Sequence, residues 1–333
     1  MGKETLSAVI VGAGYMGKKH LECYGNIDSV NVTGIVDLSE EKGKALAGQG
    51  GCAWFKTLED CFAQNKPDFV DVCLPSNLHR DAAVTALGQG CDVLVEKPFA
   101  VELEDIDAMI QAEKNSGRRL MVAHTCRFMP QYIYAKNAIE SGKYGKLLAA
   151  GLCRESETPQ WSWNNWLHNK KASGGTILDL SIHDIDLANW FLGTPVSFKA
   201  FETSSVKHPG STHITSVLSY PSNAHANIVA DHLMPTGYPL TASYRLVFEQ
   251  AALEWNTVNC KPGCVFLCTA GEKTDIPVAD LFGNASRDPY EVELSVFTGC
   301  LRSGDPFPIS VEEARLAVYT VTELCRNMDA VTI

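Results

Sequence analysis

A short apolar run, Val9-Ile10-Val11, passes directly into Gly12-Ala13-Gly14-Tyr15-Met16-Gly17 close to the N-terminus. A G-x-G-x-x-G between a strand and a helix leaves few folds open, because each glycine answers a separate steric demand. Gly12 permits the tight turn, Gly14 lets a pyrophosphate approach the backbone, and Gly17 lets helix and strand pack closely. The N–H groups that open the helix, with the positive end of its dipole, supply an anion site, and Tyr15 and Met16 lie within that loop. A glycine turn in another doubly wound protein would look the same locally. The second strand separates the two cases: it closes on Asp37, about 20 residues after Gly17, where a carboxylate can accept both ribose hydroxyls of an adenosine. The Asp37 charge repels a 2′-phosphate and Leu38-Ser39-Glu40 offers no arginine, so NAD is expected over NADP.

The first third continues in the same grammar. Strand-like runs at Leu6 to Val11, Val30 to Asp37, Phe69 to Leu74, Asp92 to Glu96 and Leu120 to His124 alternate with helical patterns such as Leu78 to Gly88 and Leu103 to Ser116. Such alternation predicts a doubly wound parallel sheet with helices on both faces, a Rossmann domain over residues 1–125. Beyond it a helix (Pro130 to Ser141), a strand near Leu147 to Arg154 and a helix from Thr176 to Phe191 lead into strands from Val196 to Ile276 broken by turns. Strands joined by hairpins predict a mainly antiparallel sheet, and two helices, Pro289 to Ser303 and Val311 to Asn327, close a second α/β domain over 126–333. A chain of 333 residues suits two domains of this size.

The formal charge of −11 excludes a phosphate-tracking surface, since Lys18-Lys19, Arg118-Arg119 and Lys170-Lys171 are isolated pairs. Neither a nucleic acid nor a membrane is expected as a partner. The apolar run at Ala8 is too short for a signal peptide and no stretch reaches the roughly 18 residues of a membrane span, which predicts a cytoplasmic protein. The 12 cysteines are scattered, many in apolar runs such as Val72-Cys73-Leu74, and read as reduced thiols. Cys260, Cys264 and Cys268 share a four-residue spacing that does not match the usual zinc pairs, so no metal is expected.

Two groups of residues can carry chemistry. Strand Val93-Leu94-Val95 ends in Glu96-Lys97-Pro98, and ligands of open α/β sheets bind beyond the carboxyl ends of the strands, so Lys97 is placed at the cofactor crevice. An exposed loop lysine is the alternative. Downstream, Asp179 and His183 stand at i and i+4 of the predicted helix, where a carboxylate can orient an imidazole acting as general base. Taken alone, that pair also fits a helix-terminal ion pair or half of a metal site. Trp161, Trp163 and Trp166 cluster with Asn164 and Asn165 in one loop, a combination suited to a ring that is apolar on one face and hydroxylated at its edge, or to interface packing.

Together the Gly12 to Gly17 loop, Glu96-Lys97-Pro98, Arg127-Phe128-Met129-Pro130 and the Gly174-Gly175 helix with Asp179, His183, Asp184 and Asp186 resemble the glucose-fructose oxidoreductase and inositol dehydrogenase superfamily, in order and over essentially the whole chain. The resemblance implies a Rossmann domain followed by an α/β domain whose open, mainly antiparallel sheet forms a subunit interface, hence a homodimer or homotetramer. It makes Lys97, Asp179 and His183 the catalytic set and places Leu74, Pro75, Asn77, His79, Glu96 and Lys97 at the cofactor. Trp166 is implied at the nicotinamide or substrate; Arg127 is a substrate ligand or an interdomain ion pair. Lys97-Pro98 is a candidate cis peptide. The expected reaction is NAD-dependent hydride transfer at a secondary hydroxyl or keto carbon of a cyclic polyol, sugar or sugar derivative. His183 takes the hydroxyl proton and Lys97 stabilises the alkoxide. A non-catalytic regulatory protein of the same fold that senses NAD or sugar, and a metal-dependent enzyme using His183 and its aspartates, are the alternatives.

Overall fold

The computed structural model describes residues 4–160, 162–257, 263–281 and 287–333. The chain divides into two compact units, one of residues 1–125 with 287–315 and one of 126–286 with 316–333.

In the first unit β1 (Leu6–Val11), β2 (Val30–Val36), β3 (Ala53–Phe55), β4 (Phe69–Val72), β5 (Asp92–Glu96) and β6 (Leu120–Ala123) form one sheet in the order β3-β2-β1-β4-β5-β6. Every pairing in it is parallel. Helices α1 (Tyr15–Tyr24), α2 (Glu40–Gly50), α3 (Leu58–Phe62), α4 (His79–Gly88) and α5 (Leu103–Ser116) make the crossovers. The central strands are apolar because both faces are covered: Val9, Ile10, Val70, Val93 and Leu94 are fully buried. Local chemistry sets the helix ends. The Ser39 side chain caps α2 and Thr57 caps α3, while Gly51 and Gly117 take left-handed conformations where α2 and α5 stop. Strand order reverses between β1 and β4, and ligands of such sheets bind at that reversal.

In the second unit α6 (Pro130–Glu140) leads to β7 (Leu147–Glu157), then to a 3₁₀ turn (Trp163–His168) and three short helices, α7 (Lys170–Ser173), α8 (Thr176–Asp179) and α9 (Ile182–Leu192). Strands β8 (Ser197–Ser204), β9 (Thr212–Ser219), β10 (His225–Met234), β11 (Thr241–Phe248), β12 (Ala251–Asn256), β13 (Cys264–Thr269) and β14 (Glu272–Pro277) follow, with β15 (Met328–Thr332) near the C-terminus. The sheet runs β14-β13-β12-β11-β7-β10-β9-β8-β15. It is mainly antiparallel, as the hairpin-linked strands predict, with two parallel pairings where β7 meets β10 and β8 meets β15. Burial alternates along its strands. Ile214, Leu218, Ile228, Ala230, Leu152 and Leu246 face the core. Helices α8 and α9 pack against β7, β9 and β10.

Helix α10 (Pro289–Ser303) belongs with the first unit, whereas the sequence reading grouped it with the second. Its packing explains why. It lies against α1, Phe297 meets Phe69 edge-on with centroids 5.3 Å apart, and Asn26 donates to Glu291. The division between the units falls within α11 (Val311–Arg326). Among the described residues no helix is long and apolar enough to cross a membrane.

One predicted helix is two. In place of a continuous helix from Thr176 to Phe191, the chain breaks at Leu180-Ser181, where Ser181 N–H reaches back five residues to the Thr176 carbonyl at 3.0 Å. The Ser181 carbonyl then starts α9 by accepting from Ile185 N–H at 2.9 Å. Asp179 therefore ends one helix and His183 lies in the first turn of the next, in place of the two sharing a face of one continuous helix.

Candidate active site

The glycine loop shows what each glycine is for. A Cβ on Gly17 would lie 1.9 Å from the Gly12 carbonyl oxygen, and one on Gly12, whose φ is +107°, would strike the Cys73 carbonyl at 2.5 Å. At Gly14 a Cβ would meet nothing within 4 Å, so the backbone there lies open to a ligand. Asp37 is bound into the same loop. Its Oδ2 accepts from Ala13 N–H at 2.7 Å and its Oδ1 from Ser39 N–H at 2.7 Å. An open backbone at Gly14, the N-terminus of α1 and a carboxylate beside both suit the pyrophosphate and adenosine ribose of a dinucleotide. Tyr15 is exposed and Met16 half-buried on the first turn of α1.

Beyond β4 and β5 the residues expected at the cofactor divide. Leu74 and Pro75 are half-buried, Asn77 is exposed and Lys97 is half-buried. His79 and Glu96 are not available in that way. His79 is fully buried, with Nε2 2.8 Å from the Leu74 carbonyl oxygen and Nδ1 3.0 Å from that of Pro98. It brackets the two loops from inside. Burial holds its pKa below the ordinary value. Glu96 is also buried, with Oε2 accepting from Lys97 N–H at 3.0 Å and Oε1 3.0 Å from His20 Nε2. The Lys97-Pro98 peptide between these contacts is cis, as its motif suggested.

His20 was not singled out from the sequence. It lies on α1 with Nδ1 2.8 Å from Asp71 Oδ2, and Tyr24 OH donates to the same oxygen at 2.9 Å. Cys73 Sγ approaches both groups, at 3.5 Å from His20 Nδ1 and 3.4 Å from Asp71 Oδ1. His20, Asp71 and Cys73 come close enough together to share a metal ion. The ring geometry argues otherwise: a ligating nitrogen must be bare, and here a carboxylate faces each one, which favours a proton on both. Burial opposes that charge, but Asp71 and Cys73 outweigh it and hold the His20 pKa well above its usual value. The signal that could have found this cluster is Asp71 itself, a carboxylate within the buried strand Phe69-Val70-Asp71-Val72, which must have partners.

In the second unit His183 Nδ1 lies 3.7 Å from Cys126 Sγ. Asp179 and His183 are both half-buried. The neighbouring aspartates turn inward: Arg127 donates from Nε and Nη2 to the two oxygens of Asp186, each at 2.8 Å, and Arg154 Nη2 donates to Asp184 at 3.0 Å. All four residues are buried. Arg127, expected as a substrate ligand or an interdomain pair, is thus an internal strut of the second unit. The readable sign was the surplus of acid on an otherwise apolar helix, which demands buried cations. Trp166 is half-buried on the 3₁₀ turn, and Trp161 lies outside the described residues. Cys264 and Cys268 stand as free thiols on β13; Cys260 is outside the described residues.

A dinucleotide loop on a six-stranded parallel sheet, followed by an α/β unit with a large mixed sheet, defines a two-part nicotinamide-dependent oxidoreductase. Residues 6–124 match the oxidoreductase family described as having an NAD-binding Rossmann fold, and residues 132–254 match the GFO/IDH/MocA C-terminal domain. The chain belongs to the GFO/IDH/MocA family of oxidoreductases. It is 24% identical over 307 residues to inositol 2-dehydrogenase of Rhizobium meliloti (strain 1021), covering 90% of each chain. It is 24% identical over 311 residues to scyllo-inositol 2-dehydrogenase (NAD(+)) of Bacillus subtilis (strain 168), covering 91% of this chain and 88% of that one. Its fold matches the WlbA dehydrogenase from Bordetella pertussis, solved with NADH and UDP-GlcNAcA, with a TM-score of 0.84 at 20% identity, over 98% of this chain and 96% of the other.

Proposed function

We propose that the protein is an NAD-dependent dehydrogenase that transfers a hydride between the nicotinamide and a secondary hydroxyl or keto carbon of a cyclic polyol, sugar or sugar derivative. One observation carries the reading. From Gly175 to Asn189 every residue is buried except Asp179 and His183, so an otherwise closed stretch of chain exposes only a carboxylate and an imidazole. Full-length similarity to inositol dehydrogenases supports a polyhydroxylated ring as substrate.

Bound NAD would supply the hydride acceptor. The residues of the chain handle the proton and the oxygen. His183 takes the hydroxyl proton because an imidazole titrates near neutrality, and Asp179 orients it or holds a neighbouring hydroxyl. The Lys97 ammonium donates to the same substrate oxygen, a contact that strengthens as alkoxide charge develops. Leu74, Pro75, Asn77 and Trp166 complete the ligand contacts.

The test is NAD reduction screened against inositols, aldoses, amino sugars and glycosides, with Lys97→Ala assayed beside the native enzyme. Turnover on one of these that collapses in Lys97→Ala supports the reading. Tight NAD or sugar binding with no turnover on any of them points to the regulatory alternative.

A further inference from the structure

The proposed mechanism leaves a buried titratable cluster of the first unit without a task. A line of close contacts runs from β4 through α1 to β5. Asp71 Oδ2 lies 2.8 Å from His20 Nδ1, His20 Nε2 lies 3.0 Å from Glu96 Oε1, and Glu96 Oε2 accepts from Lys97 N–H at 3.0 Å. The His20–Glu96 contact is off the ring N–H axis, an ion contact in place of a hydrogen bond. Each side chain before Lys97 in this line is buried. On the far side Glu293 of α10 is buried next to Glu96 and hydrogen-bonded to Thr125. Tyr290 tilts its ring over His20 with centroids 6.2 Å apart.

We propose that His20 is a positioning residue: it ties α1, the helix that opens the dinucleotide site, to the Glu96 carboxylate and so fixes the turn that carries Lys97. The physical argument is one of rigidity. A glutamate at a strand end has three rotatable side-chain bonds, and both oxygens must be held before it can hold the backbone of its neighbour. His20 is anchored in turn by Asp71, so the turn is braced from two strands at once. Burial opposes charge on the ring, while Asp71 and Cys73 favour it, and the balance lifts its pKa well above the usual value. A histidine in that state carries a proton on both nitrogens and sets its positive charge beside two carboxylates, by a hydrogen bond at Asp71 and an ion contact at Glu96, which a neutral ring cannot do. The inference rests on the reading of Lys97 as the residue that stabilises the substrate oxygen.

The test combines kinetics with a spectrum that needs no variant. His20→Leu, the conservative His20→Gln, Lys97→Ala and the double variant His20→Leu/Lys97→Ala are assayed on the best substrate, with NAD affinity and melting temperature as controls. Misplacing a catalytic group by about 1 Å can lower turnover by about 10²-fold, so His20→Leu is expected to lose kcat on that order with KM little changed. His20→Gln keeps one N–H donor and recovers part of the loss. The double variant is no slower than Lys97→Ala alone, because His20 acts through Lys97. Histidine-selective ¹⁵N spectra of the native enzyme show both His20 nitrogens protonated at pH 7. Near-native kcat in His20→Leu, fully additive losses in the double variant, or an unprotonated His20 nitrogen overturns the inference and leaves the assignment of Lys97 standing. Native turnover in Lys97→Ala overturns both.

Discussion

Asp37 accepts a hydrogen bond from Ala13 N–H at 2.7 Å, so the carboxylate assigned to the adenosine ribose is held by the same loop that is assigned to the pyrophosphate. Its second oxygen is held by Ser39 N–H. The carboxylate is fixed before any ligand arrives, and in the role assigned to it its charge would face the ribose 2′ position. A like-charge contact at 4 Å near a protein surface is unfavourable by about 4 kcal/mol, enough to reject a 2′-phosphate strongly. NAD is therefore expected to exceed NADP in kcat/KM. Asp37→Ser should narrow the gap by at least about tenfold, and Asp37→Asn, which keeps the shape and one acceptor oxygen, isolates the effect of charge. A native preference for NADP would refute the assignment.

The Arg127–Asp186 pair predicts a stability effect. Both partners are buried and joined bidentately, so removing one strands the other charge out of water. Such losses run to about 3–5 kcal/mol, and Asp186→Ala should lower the denaturant midpoint accordingly. Arg127→Met with Asp186→Leu should recover much of the loss, because an apolar pair leaves no stranded charge. If Arg127 were a substrate ligand, Arg127→Lys would raise KM with little change in stability.

Glu293 gives a pH dependence with a definite sign. Burial, then the nearby Glu96, push its pKa well above the ordinary 4.5. Above pH 4.5 the unfolded chain releases this proton while the folded chain keeps it, so the folded state binds more protons and stability falls as pH rises toward the folded pKa. His20, also raised, adds the same trend only above its ordinary 6.5. Between pH 4.5 and 6.5 the native protein should lose denaturant resistance relative to Glu293→Gln, whose neutral amide does not titrate. Parallel stability curves for the two proteins across that window would count against the assignment.

Period and punctuation made most of the fold legible. Strands β1 and β5 and helices α5 and α10 coincide with the apolar runs read from the sequence, because a strand buried on both faces and a helix stopped by a left-handed glycine, Gly117 or Gly304, carry their bounds locally. The break at Leu180-Ser181 had no such mark. Leu180 and Ser181 are ordinary helical residues, and the bend is set by packing and by the long reach of Ser181 N–H to Thr176. At the site, Gly12, Gly14, Gly17 and Asp37 were readable because each answers a backbone demand. His79 and Glu96, expected at the cofactor, and Arg127, expected at substrate or in an interdomain ion pair, have buried partners within their own units, since a motif gives residue type and position while burial depends on distant chain such as Pro98, His20 and Asp186.

The second sheet bears on assembly. Its helix-packed face is buried, but on the other face Thr215, Val229, Cys153 and Ser243 stand in one directly paired row and remain half-exposed. A broad sheet with one face uncovered is expected to meet a second copy of itself across a twofold axis. Light scattering at micromolar concentration should give at least a dimer, and Val229→Arg should weaken it. A monomeric mass for the native protein would rule the expectation out.

His183 has Nδ1 3.7 Å from the thiol of the buried Cys126, and in the proposed mechanism its imidazole takes the substrate proton. A general base in this position is worth about 10²–10⁴ in rate, so His183→Ala should lower kcat by that order while NAD affinity, measured by fluorescence, stays close to native. Asp179→Asn should act in the same direction if the carboxylate orients the imidazole as proposed, and should raise KM instead if it holds a neighbouring substrate hydroxyl. Cys126→Ala should have a far smaller effect, because a thiol 3.7 Å from the ring is at best a weak acceptor. The comparison separates two schemes. If His183→Ala keeps near-native turnover at every pH while Lys97→Ala abolishes it, the proton leaves through Lys97 or a water held by Asp179, and the imidazole only shapes the pocket.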